Sequence, residues 1–156
     1  MHQRLILRDL PRPLTNDLTS ETFWLCDTLG LSSGRDLNNL SSQIILKILE
    51  KPSCDSGISS DNLGDLLDIS AGRVNHHIRN LSRSGILYRE RRMVHLRGNN
   101  LRDTIRELRR DANRIFDELE AVAEKIDSLT GIGCQPEQIY SLIVQNSKSI
   151  LKKEER

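Results

Sequence analysis

Nine positions between residues 101 and 129 are all apolar and fall at alternating spacings of four and three: Leu101, Ile105, Leu108, Ala112, Ile115, Leu119, Val122, Ile126 and Leu129. This is the seam of a heptad helix, and no other feature limits the possible folds as strongly. At 1.5 Å per residue a helix over this stretch is roughly 43 Å long. A chain of 156 residues with 37% hydrophobic content has material for one core of ordinary size, too little to cover such a helix along its length. The seam is therefore expected to meet a second copy of itself, the alternative being a helix of an intramolecular bundle. Asn99 or Asn100 offers an N-cap, and Gly131 follows the last seam position. Phe116 and Ala123 widen the stripe in its second half, where a further helix, from Ser20 to Gly30 or from Pro136 to Lys152, is expected to pack.

Upstream, the pattern is shorter in period. Residues 1 to 19 hold Pro11 and Pro13 and read as an arm or short strand. Ser20 offers an N-cap for a helix through Phe23, Trp24 and Leu29 that Gly30 ends, and a turn-rich loop with Ser32, Ser33 and Gly34 follows. Ile44, Ile45, Ile48 and Leu49 give a helix from Ser41 that stops before Pro52, after which residues 52 to 59 make a polar turn. A short helix from Ser60 carries Leu63, Leu66 and Leu67, with Asp61 near its positive end. Ser70 then caps a helix whose Val74, Ile78 and Leu81 follow i, i+4, i+7 spacing up to Gly85. From Ile86 to Arg97 the residues suit strands, with Ile86 and Tyr88 expected on one side, Val94 and Leu96 on the other, and a reversal at Glu90, Arg91 and Arg92.

The formal net charge of +1 conceals a segregation. Between Ile69 and Arg97 seven arginines face one acid, Glu90, a balance of +6, and three of the four histidines lie there too. Between Ile115 and Thr130 five acids face one base, a balance of −4. The basic block uses arginine alone, the side chain whose planar fork suits phosphates and guanine edges.

Helix, turn, helix and a two-stranded ribbon with a charged tip together describe a winged helix. Residues 37 to 97 resemble the winged-helix domain of prokaryotic transcription regulators of the multiple-antibiotic-resistance and arsenic-repressor types. The resemblance is carried by Leu63-Gly64-Asp65-Leu66-Leu67-Asp68-Ile69-Ser70, by Arg73-Val74-Asn75-His76-His77-Ile78-Arg79-Asn80-Leu81, and by Ser84-Gly85-Ile86-Leu87. The sequence departs from it in two ways: Asn75 stands where serine is common, and the wing turn lacks glycine. The expected fold is mainly α, an α+β winged helix, in three parts. An N-terminal arm and helix span 1–36, a winged helix-turn-helix 37–98, and a dimerisation helix with a C-terminal helix 99–156.

At 100° per residue, Val74, Ile78 and Leu81 fall within one arc, and the opposite arc holds Gly72, His76, Arg79, Asn80 and Arg83, flanked by Arg73 and Asn75. Arginine can bond both acceptors of guanine and asparagine can read adenine, so Arg73, Asn75, His76 and Arg79 are candidate base readers. Asn80 shares that face, and Arg83, farther along, suits phosphate. Arg89, Arg91, Arg92 and Arg97 suit phosphates or a minor groove. His77 falls at the core boundary, a packing or backbone-bonding position. The partners expected are double-stranded DNA and a second copy of the chain.

Other classes find less support. The five aromatic residues are too few for stacked-base platforms, and stretches such as Phe23 to Cys26 fall far short of the ~20 residues of a membrane span. No signal peptide opens the chain, so a cytoplasmic protein is expected. Cys26, Cys54 and Cys134 lie far apart and read as reduced thiols. His76 and His77 diverge by 100° and cannot easily chelate together, so no metal and no cofactor is expected. No paired carboxylates, nucleophile signature or Gly-rich phosphate loop suggests an enzyme. A homodimeric, sequence-specific regulator, most simply a repressor, stands first. A non-selective DNA-architectural protein and a winged-helix protein-interaction adaptor are the alternatives. Any effector is unknown; the candidate place for one is where Trp24, Phe116 and Tyr140 could meet.

Overall fold

Local capping chemistry sets most element boundaries. The computed structural model describes residues 4–32, 38–51, 56–133 and 144. Helix α1 (Leu18–Thr28) starts at Asp17, whose carboxylate accepts from the backbone N–H of Ser20 at 2.8 Å. Ser20, the N-cap expected from the sequence, is thus the donor. An ionised carboxylate is the stronger acceptor and complements the positive end of the helix. That backbone bond, with the Ser20 side chain, lowers the pKa of Asp17 to about 2. Helix α2 (Leu40–Leu49) follows, and Ile44, Ile45 and Ile48 on it are almost wholly buried.

Strand β1 (Ile58–Ser59) leads directly into helix α3 (Ser60–Leu67), capped by Ser59, whose hydroxyl accepts from Asn62 N–H at 3.1 Å. Asp68, at φ 53, closes α3 in the left-handed region. Ser70 caps helix α4 (Ala71–Ser84), and Gly85, at φ 85, ends it as the sequence requires, because a left-handed C-cap costs glycine least. Strands β2 (Leu87–Glu90) and β3 (Met93–Leu96) pair antiparallel, Leu87 opposite Leu96 and Glu90 opposite Met93.

Two expectations about the ribbon are corrected. It has a third strand, because β1 pairs with β3 through Ile58 opposite Val94, giving the order β1-β3-β2. Two residues are too few for alternation to announce a strand; the pairing partner creates it. Tyr88 does not share a side with the buried Ile86 either: it is exposed and stacks on His95, ring centroids 5.1 Å apart, while Leu87 enters the core at 2% exposure. Ile86 precedes the strand, so the pleat begins one residue later than the sequence suggested.

One core joins Ile44, Ile45 and Ile48 of α2, Leu63 of α3, Val74, Ile78 and Leu81 of α4, and Ile86, Leu87, Val94 and Leu96 of the ribbon. Burying each such side chain contributes about 1.5–3 kcal/mol. Cys26 lies in the same cluster, and burial pushes its thiol pKa up to about 11, so it is an apolar filler rather than a reactive group.

Helix α5 (Leu101–Thr130) is capped by Asn100, whose Oδ1 accepts from Asp103 N–H at 2.8 Å, which settles the choice between Asn99 and Asn100. Thr104 is fully buried yet satisfied: its hydroxyl accepts from Gly98 N–H at 3.0 Å and donates to the Asn100 carbonyl at 2.9 Å. Arg97 Nη2 lies 3.9 Å from Glu107, turned towards α5 rather than towards the wing tip.

The chain divides into two compact units, one ending at Arg110 and one beginning at Asp111. Within the first, Leu108 is buried and Leu101 and Ile105 pack partly against the core. Within the second, Ile115, Phe116, Leu119, Val122 and Ile126 are 50–57% exposed and Leu129 is 78% exposed. Ser33, Gly34, Cys54, Cys134, Tyr140 and the helix expected over 136–152 lie outside the described residues.

Candidate nucleic-acid interface

The paired helices α3 and α4 present one face to the core and one outward. On α4 the inward positions Val74, Ile78 and Leu81 are at most 2% exposed, whereas Arg73, His76, Arg79 and Arg83 are exposed. Burial of the apolar arc therefore fixes which side chains project, and four of the expected contact residues project together with Gly72 between them on the outer arc. Asn80 is half-buried, its Nδ2 3.4 Å from His76 Nε2. His77 is half-buried with Nδ1 3.1 Å from Ser41 Oγ, a contact with a side chain of α2.

Asn75 behaves differently from the rest of that face. Its Oδ1 accepts from Ser60 Oγ at 2.9 Å and from Arg89 Nη2 at 2.6 Å, and the same Arg89 nitrogen donates to Ser60 Oγ at 2.7 Å. Three elements, α3, α4 and β2, meet in this triangle. Reading adenine with an asparagine needs both amide atoms, the oxygen accepting from the base amine. In this arrangement the oxygen is already engaged, so Asn75 positions Arg89 and α3 against α4 and has only its Nδ2 left to present outward. The departure from serine thereby acquires a structural role. Ser60 had no signal in the sequence beyond its place at a helix start, and contacts between residues 14 and 29 positions apart leave no periodicity to read.

At the wing, Arg91 and Arg92 alone form the loop between β2 and β3, with φ of 48 and 69. A two-residue reversal with both φ positive fits the twist of the flanking strands and ordinarily carries Asn-Gly. Placing two β-carbons there costs about 1–2 kcal/mol per residue. The result is two exposed guanidinium groups at the extremity of the ribbon. Arg89, also exposed, is directed at α3 and α4 rather than at the tip.

Among the described residues no group of three or more histidine, cysteine or acidic side chains is arranged to hold a metal ion, and no helix is long and apolar enough to cross a membrane. Trp24 donates to the Leu10 carbonyl at 3.2 Å and lies near Arg12.

Residues 41–88 match the family model for winged helix-turn-helix DNA-binding. The match runs from α2 to the second residue of β2, a segment that contains both the buried and the exposed face of α4. No curated protein and no solved structure matches the chain. Helices with a three-stranded antiparallel ribbon, followed by a 30-residue helix, make the fold a mainly α winged helix-turn-helix with a long C-terminal helix. The match supports a DNA-binding domain of a kind used by transcription regulators, with double-stranded DNA as its partner.

Proposed function

We propose that this chain is a homodimeric, sequence-specific transcription regulator of the cytoplasm, a repressor, that reads a pseudo-palindromic site in double-stranded DNA. The observation that carries the reading is the outer face of α4, where Arg73, His76, Arg79 and Arg83 are exposed opposite a wholly buried apolar arc. Arg73, His76 and Arg79 meet base edges in the major groove, Asn80 and Arg83 border them, and Arg91 and Arg92 reach phosphates or the adjacent minor groove. Asn75 and Arg89 keep the two helices and the wing in register.

A single winged helix makes few contacts; two on a two-fold axis meet successive major grooves about 34 Å apart, and their contacts reinforce each other. Ala112, Ile115, Leu119, Val122, Ile126 and Leu129 supply the pairing ridge, since Leu108 is already covered within its own chain and Leu101 and Ile105 partly so. The acidic second half of α5 disfavours contact with the duplex. Occupying a promoter needs no further domain, which favours repression.

The test is selection of bound duplexes from a random pool at two salt concentrations, with sedimentation equilibrium on the same protein. A two-fold symmetric consensus and a dimer support the proposal. Tight binding without enrichment, with a steep salt slope, would indicate an architectural protein. No duplex binding at all would indicate a protein-interaction adaptor, and a particle of one chain at micromolar concentration would remove the paired-site mechanism.

A further inference from the structure

On the first unit, a cleft of about 350 Å³ opens where the N-terminal arm passes the end of the α4 helix. The arm is held by two backbone bonds: Arg4 N–H donates to the Arg83 carbonyl at 2.9 Å, and Arg8 N–H to the Thr28 carbonyl at 2.8 Å. Between these anchors the chain forms neither helix nor strand, and the described arm residues that line the cleft, Arg4, Ile6 and Arg8, alternate along it. Gly30, at φ +63, lets the arm come this close, because a β-carbon there would lie 2.6 Å from the Ile6 carbonyl oxygen.

The lining is one-signed. Arg4, Arg8 and Arg83 contribute three guanidinium groups, and among the described residues no acidic side chain lines the cleft. All three are exposed, and among the described residues none of them has a salt-bridge partner. Ser32, also in the lining, has a buried Oγ without a hydrogen-bond partner among the described residues, a group that ordinarily finds one. Ile6 and Leu31 supply apolar wall. Three arginine forks, an unused hydroxyl and a small apolar wall suit a compact anion with several acceptor oxygens, and the volume is at the small end of ligand pockets.

We propose that this cleft binds a small phosphate-bearing molecule, its phosphate held by Arg4, Arg8 and Arg83 and the Ser32 hydroxyl. Arg83 belongs to both the cleft and the outward face of α4, so an occupied cleft withdraws one cation from the duplex and weakens its binding. That second consequence rests on the DNA reading given above; the anion site does not.

Inorganic pyrophosphate is the probe, titrated calorimetrically into the full chain at ionic strength held constant with chloride. The expected result is one saturable site per chain, weakened about tenfold or more in Arg4→Gln and in Arg8→Gln. Glutamine preserves the backbone bonds of the arm, and an unchanged thermal midpoint checks that each variant is folded. Absence of saturable binding, or equal binding by both variants, overturns the site. Duplex binding measured without pyrophosphate separates the two sources of phosphate. Arg8→Gln at wild-type duplex affinity supports a small-molecule cleft, whereas a weakened duplex complex assigns these arginines to the DNA backbone and overturns it. Wild-type protein that binds pyrophosphate but no duplex supports the site while removing the regulator reading.

Discussion

Helix α4 and the second half of α5 carry apolar stripes of equal regularity and opposite fate. Val74, Ile78 and Leu81 are at most 2% exposed, while Ile115, Leu119, Val122 and Ile126 are at least half exposed. The polar faces differ as well: arginines and a histidine on α4, a cluster of acids on α5. Helical periodicity says that a face prefers to leave water. It does not say what covers it. On α4 the cover is α2, α3 and the ribbon, which lie within the same sixty residues; on α5 the stripe from Ile115 onward is exposed among the described residues.

Breaking the covered stripe should have the largest effect. Ile78→Ala removes a fully packed side chain from the centre of the core and should cost about 2–5 kcal/mol in denaturant unfolding. A cost below 1 kcal/mol would mean that the core is not closed around α4. On the exposed stripe, Val122→Glu should leave the unfolding of the winged helix unchanged and weaken self-association about 100-fold, read by sedimentation, because a carboxylate cannot be buried unpaired in an apolar seam. Unaltered association would show that the seam is not the contact.

The wing offers a smaller effect with two signs. Arg92→Gly relieves left-handed strain at the cost of a freer unfolded chain, a net stabilisation of about 0.5–1 kcal/mol. The same change deletes one phosphate contact per subunit and should lower the salt slope of duplex binding by the dimer by about 2. Stability and affinity moving together would contradict the placement of Arg92 at the DNA.

The smallest effect concerns α1. The pKa of Asp17 is lowered in the folded chain, from 3.8 to about 2, so its capping contribution is present above pH 3.8 and is lost as pH falls through 2. Between those limits the thermal midpoint of Asp17→Ala should depend less on pH than that of the parent chain; parallel curves would remove the cap from the account.

What the sequence revealed were elements whose cause is local. Ser70 and Gly85 bracket α4 because a hydroxyl and a missing β-carbon act within one turn of the helix. The inward and outward arcs of α4 followed from the 100° step alone. What it concealed depends on residues brought together from afar. Strand β1 exists through Val94, 36 positions from Ile58, and that pairing helps decide that Leu87 rather than Tyr88 turns inward. The acceptor role of Asn75 needs Arg89, and the cleft needs Arg4 beside Arg83. Ser20 has the right type for a cap; the chain geometry gives the role to Asp17 instead.

The stitch at the start of α5 has a mechanical consequence. Gly98 N–H is tied to the Thr104 hydroxyl, Thr104 is tied back to Asn100, and Arg97 leans on Glu107, so only a short, doubly fastened strap separates the last residue of β3 from the first turn of the long helix. Such a strap transmits torque with little slack. Whatever rolls the first turns of α5 about their axis would swing the arginine-tipped hairpin with them, as a key's bow turns its bit.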